Sequence, residues 1–115
     1  MKKAPQKAKD LVVQYLEKEN NALKEKKNDI EMEKDIADFT VAKLGSDISS
    51  ALLKDHPKDF LERDYNLAID NLCKDGILQQ IYSDKPGERL YAPIKIIVDM
   101  PDGTSGYLYY LTGKK

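Results

Sequence analysis

Apolar residues recur every three or four positions through the first two-thirds of the chain and every second position near its end. After Pro5, residues Ala8, Leu11, Val12, Tyr15, Leu16, Ala22 and Leu23 fall on one arc of a helical period, which predicts a first helix starting there. Glu19 interrupts that arc and Asn20-Asn21 follow it, so the helix is expected to leave the core or break at this point. A second helix is expected over 31–44, with Ile36, Ala37, Thr40, Val41 and Leu44 inward and Gly45 as its left-handed stop. Ser46 or Asp47 then caps a short third helix carrying Ile48, Leu52 and Leu53, which Asp55-His56-Pro57 interrupts. A fourth helix places Leu61, Tyr65, Ala68, Ile69 and Leu72 toward the core and closes at Gly76.

Glycine is absent before Gly45, and five of the six glycines lie at or beyond Gly76, so the pattern changes to strands and turns in the last third. A strand is expected near 77–82, a turn at 84–88 set by Pro86-Gly87, and a return strand near 89–92, with Ile81 facing Leu90 across the hairpin. Past Pro93, segments 94–98 and 107–111 read as a second hairpin around Pro101-Asp102-Gly103 and Gly106. The fold class is therefore expected to be α+β, a helical N-terminal half followed by two β-hairpins. The chain is expected to be a single domain over 1–115, with a charged helical extension at 6–44, a core at 46–93 and a C-terminal hairpin at 94–111.

Composition narrows the setting. Apolar residues make up 41% and charged ones 34%, as in a soluble globular protein. The longest apolar runs, such as Ile96-Ile97-Val98, are too short to span a bilayer, so no membrane partner is expected. Lys2, Lys3, Lys7 and Lys9 are followed by no apolar stretch of the kind a secretory leader carries. Cys73, the single cysteine, cannot form a disulfide within the chain, which fits a reducing compartment and a cytoplasmic address. Net charge is −1 and the pI near 5.8, without the basic surplus from which phosphate binding draws its affinity. The dense charges of 17–34 read as a solvated helical face. Leu16, Leu23 and Ile30 are spaced by heptads, but the intervening core positions of a coiled coil are polar.

Chemistry-bearing residues are sparse. His56 and Cys73 are the sole imidazole and thiol, so no zinc spacing, paired nucleophile and base, or cofactor motif is expected, and no enzyme activity. His56 reads as an exposed turn residue and Cys73 as a partly buried structural thiol. The stretch Asp99 to Gly106 lacks calcium-loop spacing and reads as a hairpin turn. Alternation puts Tyr107 and Tyr109 on one face with Leu111, and Tyr110 on the other with Leu108; core packing is the expected role of these rings.

One stretch carries a resemblance. Leu72-Cys73-Lys74-Asp75-Gly76-Ile77-Leu78, followed by Gly87-Glu88-Arg89-Leu90-Tyr91, resembles the winged-helix (winged helix-turn-helix) superfamily over about residues 46–93. The resemblance implies a β-hairpin wing and a DNA-binding transcription regulator whose longer helix, about 61–74, reads the major groove. It implies Arg63 for a guanine edge, Asn66 for an adenine, Lys74 for a phosphate, and Lys85 and Arg89 as wing cations. It also implies a homodimer on double-stranded DNA, with the first helix or the last hairpin as interface. Against this, 58–75 holds three basic residues (Lys58, Arg63, Lys74) and five acidic ones (Asp59, Glu62, Asp64, Asp70, Asp75), a net of −2. Winged helices also serve as protein-interaction modules. In that alternative, Leu67 at the centre of the outward helix face and Asp70 beside it would bind a protein partner.

Overall fold

The computed structural model describes residues 3–26, 39–87, 89–91 and 95–113. It is an α+β fold in which three helices pack on one face of a mixed five-stranded sheet. Helix α1 spans Gln6–Lys26, strand β1 Phe39–Leu44, helix α2 Gly45–Asp55 and helix α3 Glu62–Lys74. Strands β2 (Leu78–Ser83), β3 (Arg89–Tyr91), β4 (Lys95–Asp99) and β5 (Gly106–Leu111) follow. Among the described residues, no helix is long and apolar enough to cross a membrane.

The expected arc of α1 buries Ala8, Val12 and Leu16, each four residues from the last, against Ile48 and Leu52 of α2 and Tyr65, Ala68, Ile69 and Leu72 of α3. Leu78, Tyr109 and Leu111 close this cluster from the sheet. The helix does not break at Asn20. Its amide Nδ2 donates to Thr40 Oγ1 at 3.2 Å, and its Oδ1 accepts the Val41 N–H at 2.7 Å. Strand β5 pairs with β1 only at Lys43 and Leu44, so Asn20 takes up a backbone donor that β5 does not reach. The polar interruption of the arc is thus the dock for β1.

The expected second helix is overturned where it can be seen: 39–44 is a strand, and 27–38 lies outside the described residues. Thr40, Ala42 and Leu44 alternate with Val41 and Lys43, and the strand pairs in parallel with β4 from Phe39↔Lys95 to Lys43↔Asp99. Gly45 is not a left-handed stop, since its φ is not positive and it opens α2 instead. Its small size serves packing: a β-carbon there would stand 3.1 Å from Cε2 of Tyr109. No side chain caps α2, so neither Ser46 nor Asp47 has that role. Gly76 and Gly87 do take positive φ, at 78° and 72°, as their turn positions require. Leu61, expected inward, is exposed at the head of α3.

Neither expected hairpin forms. Strand β2 pairs with β5, from Leu78↔Leu111 to Ser83↔Gly106, and β4 pairs with β1 and β3, giving the order β2-β5-β1-β4-β3. Ile81 therefore meets Leu108, and Leu90 meets Ile96. The six residues of β5 pair in register with all six of β2, a length of ladder that the three residues of β3 cannot offer. Residues 101–105 likewise carry the chain from β4 past the end of β1 rather than around a hairpin. On the sheet face away from the helices, Ala42, Leu44, Ile96, Val98, Met100, Leu108 and Tyr110 form a second buried cluster with Ile81 at its rim. This matches the expected division of the tyrosines, with Tyr110 and Leu108 on one face and Tyr107 and Tyr109 on the other.

Candidate partner-binding surface

Helix α3 starts where the Asp64 carboxylate accepts the Leu61 N–H at 2.9 Å, so this acid is committed to the helix end. Tyr65, Ala68, Ile69 and Leu72 face inward, which leaves Glu62, Arg63, Asn66, Asp70 and Lys74 exposed, as helical spacing requires. Leu67 departs from expectation. It is half-buried and packs against the helical cluster, so it is not an open apolar contact at the centre of this face. Asn66 is exposed yet engaged: its Oδ1 accepts the Ser49 hydroxyl of α2 at 2.6 Å. Reading adenine needs the oxygen and the nitrogen of that amide together, and Ser49 already takes one of the oxygen's two lone pairs and orients the amide toward α2.

The outward face of α3 continues onto the β2–β5 ribbon through Tyr109. Burial raises the pKa of the Tyr109 hydroxyl, with Cys73 and Asp70 adding to the rise, and the Gln80 amide donates to that hydroxyl at 3.2 Å. Burial and the Asp70 charge raise Cys73 as well, holding it as a thiol of low reactivity. Beyond Tyr109, Tyr82 and Tyr107 lie opposite each other across the ladder with centroids 5.3 Å apart, edge to face. They remain 60% and 56% exposed. Tyr107 was expected to pack in the core. Missing from that reading was the register of β2 on β5, which sets Tyr107 against Tyr82 with both rings exposed.

The expected cations separate in space. Arg63 and Lys74 lie on α3, and Lys85 is exposed just past β2, where its N–H donates to Ser83 Oγ at 3.1 Å. Arg89 is in β3, at the opposite end of the strand order from β2, and pairs with Ile97 of β4. Its side chain lies outside the described residues. Lys85 and Arg89 thus do not flank a β2–β3 hairpin, although they stand only four positions apart in the chain. From Glu62 to Asp75 four carboxylates accompany two cations.

A second polar constellation went unread in the sequence. Lys43 Nζ lies 2.8 Å from Asp99 Oδ2 and 3.4 Å from Glu19 Oε2, with its charge 5.6 Å from the centre of the Tyr15 ring. Burial opposes the charge on Lys43, but the hydrogen bond and charge of Asp99, with Tyr15 and Glu19, outweigh it and raise its pKa. The group ties α1, β1 and β4 together, and its Glu19 and Asp99 help line an open cavity of about 250 Å³. A groove of about 430 Å³ between α1 and α2, lined in part by Tyr15, Lys18, Lys54 and His56, is open and mixed in charge. Among the described residues, no three histidine, cysteine or carboxylate groups converge as a metal site would need.

Family models, curated proteins and solved structures were each compared with this chain, and none matched.

Proposed function

We propose that this chain is a binding module of winged-helix build that docks a protein through α3 and the β2–β5 ribbon. The order α1-β1-α2-α3-β2 supports the winged-helix reading, together with a partner strand that pairs β2 on one side and β1 on the other. On this reading β5 is the returning wing strand. The wing is enlarged by 84–105, which carries β3 and β4 to the far edge of the sheet.

The observation that carries the protein reading is the exposed Tyr82–Tyr107 pair beside a net-acidic α3. Amphipathic aromatic rings are favoured anchors of protein interfaces, whereas three carboxylates along the helix and a fourth at its C-cap oppose a polyanion. DNA binding is the competing reading, favoured by the exposure of Arg63, Lys74 and Lys85. Its weak point is the engaged Asn66. Placing a photo-crosslinking side chain at position 107 in cells separates the two. Adducts to polypeptide are expected, and adducts to nucleic acid alone would overturn the protein reading.

A further inference from the structure

Strand β2 ends the sheet, and no described strand pairs with its outer side. The ladder to β5 tells which of its backbone groups face outward. Thr112 N–H donates to the Ile77 carbonyl at 3.0 Å, so 77 and 112 are a hydrogen-bonded pair of the register that continues through Leu78↔Leu111. Hydrogen-bonded and non-bonded pairs alternate along an antiparallel ladder. Residues 79, 81 and 83 therefore spend their backbone groups on β5, while the N–H and C=O of Leu78, Gln80 and Tyr82 point away from it. An edge of this kind is normally blunted by a charge, a proline, a bulge or brevity. Leu78-Gln79-Gln80-Ile81-Tyr82-Ser83 has no charge and no proline, pairs with β5 residue for residue, and is six residues long. At the other edge, β3 has three residues and ends before Pro93.

We infer that β2 pairs antiparallel with β2 of a second copy of this chain about a twofold axis at Gln80. This rests on the protein-docking reading and names the partner that the ribbon meets. The strand is self-complementary. With Gln80 opposite Gln80, the outward groups of 78, 80 and 82 meet those of 82, 80 and 78, and each residue from 78 to 82 is paired. On the helix side Leu78 faces Tyr82 of the second copy, covering a ring that is 60% exposed in one chain. On the other side Gln79 faces Ile81. No like charges meet within the ladder, and Lys85, just past one end, comes toward the acidic Asp75 turn of the second copy. An isologous contact of this form closes as a dimer and leaves β2 no open edge.

Sedimentation of the full chain over a wide concentration series tests the inference. The mass is expected to rise from that of the 13.1 kDa chain to twice that value. Gln80→Pro removes an outward N–H without costing a bond to β5, so it should hold the chain at the single mass with an unchanged circular dichroism spectrum. In a Cys73→Ser background, Gln80→Cys should oxidise to a disulfide-linked dimer, since bonded antiparallel partners stand about 5.5 Å apart at Cα. Gln79→Cys should not, because twofold-related 79 positions exceed the ~7 Å reach of a disulfide. This pair decides the matter if Gln80→Pro disturbs folding. A chain that stays at single mass, a dimer indifferent to Gln80→Pro, or equal crosslinking at 79 and 80 would overturn the inference. A single-mass chain that still crosslinks to polypeptide from position 107 would sink self-pairing alone, whereas adducts to nucleic acid would sink the docking reading beneath it.

Discussion

Strand β3 closes one edge of the sheet with three residues between Glu88 and Pro93, while β2 opens the other with six uncharged residues beside two exposed tyrosines. The far edge is short, and the strand next to it is tied down: β4 lies in parallel on β1, and Lys43 bonds Asp99 to Glu19 of α1. Among the described strands the near edge pairs with β5 alone, and it lies where α3 runs into the sheet. A strand with a complete set of outward backbone groups and an aromatic pair nearby has the makings of an interface, and a three-residue strand flanked by proline does not. The contrast is what favours the β2 side as the proposed docking surface.

The contrast can be broken most severely at the strand both halves share. Leu108 is fully buried on β5, opposite Ile81 of β2 and Leu44 of β1. Leu108→Ala should cost about 3 kcal/mol in urea denaturation, with both halves of the sheet loosening together. A loss below about 1 kcal/mol would mean that β5 is not the keystone described.

A smaller effect is expected at the tied edge. Lys43→Met should cost about 1–2 kcal/mol, because Glu19 and Asp99 lose their cation but stay partly exposed. The sign with pH follows from the raised pKa of Lys43 in the fold. Its contribution is complete below its ordinary value of 10.5 and is lost as pH climbs through the higher folded value. Thermal melts from neutral pH to the alkaline limit of folding should therefore show the parent and Lys43→Met curves converging. Parallel curves would refute the tether.

The smallest change should be slightly favourable. Tyr65 is fully buried in the helical cluster, edge-on to Phe60 at 5.7 Å, and its hydroxyl has no hydrogen-bond partner among the described residues. Tyr65→Phe keeps the ring contact and removes an unsatisfied polar group, so stability should rise by up to about 1 kcal/mol in the same denaturation assay. A clear loss of stability would show that the hydroxyl has a partner the account lacks.

Helix α3 and its exit were legible because their signals are local. Tyr65, Ala68, Ile69 and Leu72 share one helical arc, and Gly76 supplies the positive φ of the turn into β2. Segment 39–44 was not, because Ala37, Thr40, Val41 and Leu44 fit a helix as well as Thr40, Ala42 and Leu44 fit a strand. No turn residue separates it from α2, since β1 runs straight into Gly45. Pro86-Gly87 marked a reversal of the chain, but a turn does not say which strand the chain rejoins, and β2 takes its partner from residues 106–111. The site divides along the same line. The exposure of Arg63, Asn66, Asp70 and Lys74 follows from helical period alone. The Tyr82–Tyr107 pair, the engagement of Asn66 by Ser49 and the pairing of the Arg89 strand with β4 in place of β2 depend on contacts between elements.

The central claim, that the α3 and β2–β5 surface meets protein and not nucleic acid, is tested most directly by titrating a labelled random-sequence duplex with the full chain at low salt and following its anisotropy. The account predicts no saturable binding, and no change when Arg63, Lys74 and Lys85 are replaced by alanine. Saturable binding that weakens steeply with added salt and disappears with those three substitutions would contradict it.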